Sequence, residues 1–233
     1  MKQNMEKYMD ESAIAQAQSE FMSKVYAWMV GGLLLTGATA WFVYDSNIYM
    51  AIVSNSLLFF GLIIAEFAMV FGLSSMIEKL SPAAAAGLFL LFSFVNGLTF
   101  SVIFAAYTIA SIQQVFFIAA GMFGALSFYG YTTKKDMSGL GKFMFMGLIG
   151  IIIASIVNFI FMSSALHFAI SVIGVLVFAG LTVYDTQKLK EMYVTQAEGD
   201  QMAGKISILG ALTLYLDFIN LFLFLLRLFG NRR

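Results

Sequence analysis

The sequence predicts an all-α polytopic membrane protein with seven transmembrane helices, and three observations carry that prediction. Of 233 residues, 61% are hydrophobic and only 11% charged, whereas a soluble domain runs about 45–50% apolar and about 25% charged. The mean hydropathy is +0.88. The apolar residues gather into seven runs, each near or above the ~20 residues a helix needs to cross a ~30 Å hydrocarbon core.

Residues 1–24 precede the first run. They mix Lys2, Lys7 and Lys24 with Glu6, Asp10, Glu11 and Glu20 and contain no apolar core. A signal peptide needs a basic start followed by a hydrophobic run, so this stretch reads as a cytoplasmic polar tail with a short surface helix over 11–24. The transmembrane domain spans 25–229, with runs at 25–44, 57–77, 82–107, 112–131, 143–162, 166–184 and 206–229. Ser81 and Pro82 mark the start of the third, because Ser caps a helix and Pro suits its first position. Pro82 is the only proline, so proline-kinked transporter helices are not expected. Trp28, Trp41, Tyr44, Tyr129, Tyr131, Tyr184 and Tyr193 stand near run ends, as interfacial anchoring requires. Residues 230–233 form a short basic C-terminal tail.

The basic residues set an expected orientation. Lys2, Lys7, Lys24, Lys79, Lys134, Lys135, Lys142, Lys188, Lys190 and Lys205 fall in the tail and in alternate connections, while 45–56, 108–111 and 163–165 hold no Lys or Arg. By the positive-inside rule the N-terminus is cytoplasmic. Arg227, Arg232 and Arg233 would then lie outside after seven crossings, against the same rule. The short outer connections imply three antiparallel hairpins (one–two, three–four, five–six) followed by a lone seventh helix.

Composition excludes several classes of function. A formal net charge of zero gives no electrostatic footprint for nucleic acid. There is no cysteine, which removes disulfides and thiol chemistry, and the single His167 rules out a His-rich zinc site. No cofactor is expected.

Acids inside the runs are the candidate functional residues: Glu66 in the second, Asp185 closing the sixth and Asp217 central in the seventh. A carboxyl at the bilayer midplane costs roughly 2.5–3.5 kcal/mol on insertion scales, so something must offset it. Asp217 has Thr213 four residues back and Asn220 three on, a polar stripe on one helical face. Asp185 has Thr182 one turn back and Gln187 and Lys188 just beyond. The alternative for each acid is a structural hydrogen bond or ion pair between helices. If Asp185 and Asp217 approach, they cannot both ionise cheaply and would share a proton. Such a pair can latch two helices or accept a hard cation such as Ca²⁺. Asn96, with Gly97, Thr99 and Ser101, makes a polar notch suited to interhelical hydrogen bonding.

Gly180-Leu-Thr-Val-Tyr-Asp185-Thr-Gln-Lys-Leu189 and Leu212-Thr-Leu-Tyr-Leu-Asp217-Phe-Ile-Asn-Leu-Phe222 resemble the Bax inhibitor-1 (transmembrane Bax inhibitor motif) family in its bacterial branch. The resemblance covers essentially the whole chain after the tail. It implies six helices surrounding a central seventh, and a pH-sensitive Ca²⁺ leak across the bacterial inner membrane gated by an aspartate pair. The pair maps onto Asp185 and Asp217, which would also be transient Ca²⁺ ligands, with Ca²⁺ as the permeant ion. The family's second-helix acid resembles Glu66, and its late seventh-helix base resembles Arg227; with Asn220 these are ion-pathway or ion-pair candidates. One departure is that relatives can carry an arginine lock at the inner end of the second helix, where this chain reads Met76-Ile-Glu-Lys79. Lysine lacks arginine's bidentate fork.

Two other readings compete. Intramembrane aspartyl proteases also pair acids on adjacent helices, but their second aspartate follows Gly-x-Gly and they carry a Pro-Ala-Leu element, neither of which is present here. The chain is therefore not expected to be an enzyme. In the other reading it is a membrane interaction protein that modulates a membrane protease or stress pathway, with structural acids and residues 1–24 facing the partner.

Overall fold

The computed structural model describes residues 2–196 and 199–233, with side chains placed for 12–193, 199 and 201–233. The elements are α1 (Lys2–Asp45), α2 (Tyr49–Ser54), α3 (Ser56–Met76), α4 (Pro82–Ala106), α5 (Ile109–Thr132), α6 (Ser138–Phe161), α7 (Ser164–Gln196) and α8 (Gly199–Phe229). Among the described residues, all but the six-residue α2 are long and apolar enough to cross a bilayer, which makes seven spans. In hydrocarbon no water satisfies a free helix N-terminus, and side chains do so instead. Asn55, Ser81 and Thr108 cap α3, α4 and α5, accepting from the amides of Leu58, Ala84 and Ser111. In the α5–α6 connection Asp136 accepts from the Ser138 side chain and amide, which holds its carboxyl below the usual range.

α8 is the most buried span: 72% of its most apolar stretch is inside the protein, against 6% for α3 and for α6. It packs on α1, α3, α4, α5 and α7, whereas α6 packs on the outer side of α7. The last helix is therefore central, with α1, α3, α4, α5 and α7 against it. The expected hairpins need a correction. Only α6–α7 packs as a pair; α1 packs on α4 instead of α3, and α5 on α7 and α8 instead of α4.

The reason is steric. A short connection fixes where two helix ends lie, but in lipid the contacts themselves depend on close van der Waals packing at small residues. A Cβ on Gly97 of α4 would stand 2.6 Å from the Thr39 Cβ and 2.8 Å from the Thr36 carbonyl oxygen of α1. A Cβ on Gly32 of α1 would stand 2.6 Å from the Phe89 ring of α4. Glycines on both helices thus let α1 and α4 approach closely. On α7, Gly174 receives the Phe224 ring of α8, and Gly180 receives Met144 of α6.

Three elements run past the apolar runs. α1 passes through residue 24 without a break; Phe21, Met22 and Val25 are buried on it, and Gln18 donates to the Lys190 carbonyl at 3.1 Å. The side chains of Lys2, Glu6, Lys7, Asp10 and Glu11 lie outside the described residues. α7 continues past 184 and α8 begins before 206, because apolar Leu189, Ile206 and Ile208 are buried along that stretch.

The lysine-bearing connections share one end of the bundle. There Lys205 donates to the Glu78 carbonyl, Gln187 to the Lys135 carbonyl and Lys190 to the Tyr131 carbonyl. At the opposite end Thr108 donates to the Asn231 carbonyl, Arg233 to the Ala106 carbonyl, and the Arg233 guanidinium to the Tyr44 hydroxyl. α8 is thus a complete crossing, and residues 230–233 sit beside the lysine-free connections.

The α1–α4 contact gives a direct test. Gly97→Ala should lower the thermal unfolding midpoint in detergent, at a cost of about 1–3 kcal/mol for overpacking. Gly61→Ala, whose Cβ would meet open space, should leave the midpoint unchanged or raise it.

Candidate functional site

The site is built on four consecutive residues of α7. A helix turns ~100° per residue, so neighbours in sequence face different partners. The Tyr184 ring lies against Gly141 of α6. Asp185 faces α8, where its carboxyl lies beside that of Asp217. Thr186 faces α5, its hydroxyl 2.9 Å from that of Ser127, which is 2.6 Å from the Tyr26 hydroxyl of α1. Gln187 accepts from the Met137 amide at 2.9 Å and donates to the Lys135 carbonyl at 2.8 Å, clamping the α5–α6 connection. Gly130 of α5 lies directly against the Val183 carbonyl, which lets this turn of α7 sit tight on α5. Three of the four residues therefore hold α7 in place, and the fourth meets the central helix.

Packing on either side fixes the register of α7 against α8. Leu189 fills the space over Gly210, and the Phe178 and Phe224 rings stack at 5.8 Å. Between those contacts Asp185 and Asp217 come level. Asp217 is 4% exposed, and no hydroxyl, amide or ammonium donor among the described residues reaches its Oδ2. The ionisable group beside it is the Asp185 carboxyl, and a hydrogen bond between two carboxyl groups would require a proton on one of them. Asp185 is half-buried; Lys188, the cation acting on it, is exposed, with its ammonium 5.6 Å from the Tyr184 ring centre.

A second polar centre lies on another face of α8. Tyr215 is fully buried; its hydroxyl donates to Asn96 Oδ1 of α4 at 3.0 Å and lies 2.7 Å from the Thr36 hydroxyl of α1. Thr99 donates to Glu66 Oε1 at 2.6 Å. Glu66, central in α3, is thereby joined to α4. The polar notch at Asn96 is the interhelical hydrogen bond its residues predict.

Other predicted site residues stand apart. Asn220 and Thr213 bond to the carbonyls of Leu216 and Leu209 on their own helix, so the expected polar stripe does not reach Asp217. Arg227 is ten residues beyond Asp217, about 15 Å along the helix; it lies over the Phe224 ring and beside His167 and Arg232, pairing with none of the three acids. Lys79 is exposed. The buried cation at that end of α3 is Lys205, which ties the start of α8 to the Glu78 carbonyl at 2.9 Å. Sequence reasoning missed the roles of Tyr215, Thr186 and Lys205, and placed Gln187 beside Asp185 without its clamp on the α5–α6 connection. For Tyr215 the available signal was a hydroxyl in the middle of an otherwise apolar run, two residues before the acid.

The profile of the family described as "Inhibitor of apoptosis-promoting Bax1" matches residues 18–233. The chain belongs to the Bax inhibitor-1 family. Among similar proteins, the Inner membrane protein YbhL of Escherichia coli is 52% identical over 240 residues, covering 98% of this chain and 100% of that protein. An uncharacterised protein of Deinococcus radiodurans is 42% identical over 235 residues (98% and 100%), and one of Borreliella burgdorferi 43% over 217 (93% and 94%). The matched region of this Bax inhibitor-1 protein includes every residue of both polar centres.

Tyr215 holds α8 to α1 and α4 without a charge, so its loss should be structural. Tyr215→Phe leaves Thr36 and Asn96 short of a buried partner and should cost about 1–3 kcal/mol, measured as a lower unfolding midpoint in detergent.

Proposed function

We propose that this Bax inhibitor-1 protein is a pH-sensitive Ca²⁺ leak channel of the bacterial inner membrane, gated by Asp185 and Asp217. The observation that carries this reading is the carboxyl–carboxyl contact between α7 and α8, with Asp217 buried in the central helix. The name of the Escherichia coli relative supports the inner membrane, and the lysines gathered at one end of the bundle support a cytoplasmic N-terminus.

The chemistry follows from proton count. With one proton between them, the acids form a charge-assisted O–H···O⁻ bond, about twice as strong as a neutral one, and α7 is latched to α8. Removing that proton leaves two like charges, which repel by about 4 kcal/mol at ~4 Å and an effective dielectric of ~20. Adding a second proton leaves a neutral, weaker bond. The latch is therefore strongest at single protonation, and flux should rise on either side of that pH. Ca²⁺ takes 6–8 oxygen ligands. Two carboxylates supply at most four, and no group of three or more acidic or His side chains is assembled among the described residues. That donor set suits a passing ion that keeps part of its water, since conduction needs weak binding, and not a resident one.

The second reading, a membrane interaction protein, draws on α1: residues 13–16, 19 and 20 are exposed beyond the buried stripe that starts at Phe21. Co-purification of a partner that depends on residues 1–24 but not on Asp217 would favour it.

The channel reading is tested by Ca²⁺ flux into liposomes across pH for the native chain, Asp185→Asn and Asp217→Asn. Each amide removes the shared proton, so the flux should lose its pH dependence in both variants. A pH response unchanged by either substitution would exclude the aspartate gate.

A further inference from the structure

The C-terminal residues form a strap across the α4–α5 connection. The Asn231 amide donates to Ser111 Oγ at 2.8 Å, the Thr108 amide to the Asn231 carbonyl at 3.1 Å, and the Arg233 amide to the Ala106 carbonyl at 3.1 Å. With the backbone pinned, the exposed side chains of Arg232 and Arg233 are held in place. The Arg232 guanidinium lies 5.9 Å from the Tyr107 ring centre and that of Arg233 5.5 Å from the Tyr44 ring centre. Among the described residues neither forms a salt bridge with an Asp or Glu side chain. Two fixed cations therefore stand without an acidic side-chain partner among the described residues, at the end of the bundle where the connections carry no lysine.

The aromatic surface beneath them leads into a cavity. The Tyr44 ring packs on Phe104 at 5.8 Å and on Trp41 at 6.4 Å. Trp41 and Phe104 line a cavity of about 370 Å³ between α1, α4, α5 and α8, with Gly37, Phe116 and Phe222 among its walls. A second cavity of about 550 Å³ shares Leu33, Gly37, Phe116 and Phe218 with the first and extends it along the cleft between α1 and α5. The result is a long apolar slot at membrane depth, with Arg233 joined to its Trp41–Phe104 wall through Tyr44 and Arg232 beside it in the same strap.

We propose that Arg232, Arg233 and this slot bind an anionic phospholipid from the bilayer, its phosphate on the guanidiniums and one acyl chain in the α1–α5 cleft. Guanidinium matches phosphate oxygens in bidentate fashion. Bulk lipid tails are as apolar as the slot, so the chain contributes shape and position, and the discrimination between lipids rests on charge. The same ligand neutralises the arginines that the charge rule disfavours on this side. The site is separate from the aspartate pair and does not rest on the channel reading.

The test is native mass spectrometry of the full chain in neutral detergent, titrated with phosphatidylglycerol, phosphatidylcholine or inorganic phosphate. The native protein should retain one phosphatidylglycerol about tenfold more tightly than phosphatidylcholine, and inorganic phosphate should not displace it. The double variant Arg232→Gln/Arg233→Gln should lose that preference. Gly37→Phe should lose the bound lipid itself, and it should still fold, because a Cβ there meets open space. Equal retention of the two lipids, a preference that survives the arginine substitutions, displacement by free phosphate, or undiminished lipid in Gly37→Phe would each overturn the proposal.

Discussion

The burial of Asp217 in the central helix, with Asp185 beside it, is the constraint on which the proposed site depends. In hydrocarbon every polar group must find its partner within the protein. Asp217 sits in the most buried helix, and its Oδ2 receives nothing from a hydroxyl, amide or ammonium group among the described residues. A single acid at such a depth would cost several kcal/mol. In the proposed gate the cost is offset by a second acid and a proton shared between the two, a partner whose hydrogen-bonding capacity would change with pH. The packing around the pair keeps it together: Leu189 on Gly210 below, Phe178 on Phe224 above, and Thr186 and Gln187 holding α7 to α5 and its connection.

Two faces of α8 thus have different chemistry. Toward α1 and α4 the helix is held by Tyr215, Thr36 and Asn96, none of which carries a charge. Toward α7 it faces Asp185, and in the proposed gate a change in that contact would leave the first in place. Lys205 at one end and the strap of residues 230–233 at the other tie α8 to its surroundings beyond the membrane core.

Much of this was readable in the sequence, and the misreadings share a cause. Seven long apolar runs specify seven spans because few other segments can remain in lipid, and the two aspartates stand out because acids there are rare. Helix pairing was not readable from apolarity, since every lipid-facing side looks alike. It depends instead on Gly32 and Gly97, whose significance emerges only when α1 and α4 are placed together. Tyr215 was hidden because tyrosine in an apolar run reads as bulk, and Thr213 and Asn220 misled because each satisfies itself on its own backbone. The break expected at residue 24 failed because Phe21 and Met22 sit at helical spacing from Val25 and continue the buried stripe into a charged segment.

The central claim is that Asp185 and Asp217 hold one proton between them. Infrared difference spectroscopy of the reconstituted protein across pH measures this directly through the carboxyl C=O stretch. A shared proton predicts a protonated-carboxyl band at neutral pH whose frequency and titration midpoint both change in Asp185→Asn and in Asp217→Asn, because either substitution dissolves the pair. A band left unchanged in frequency and midpoint by either substitution, or two carboxyls that titrate independently in the native protein, would contradict it.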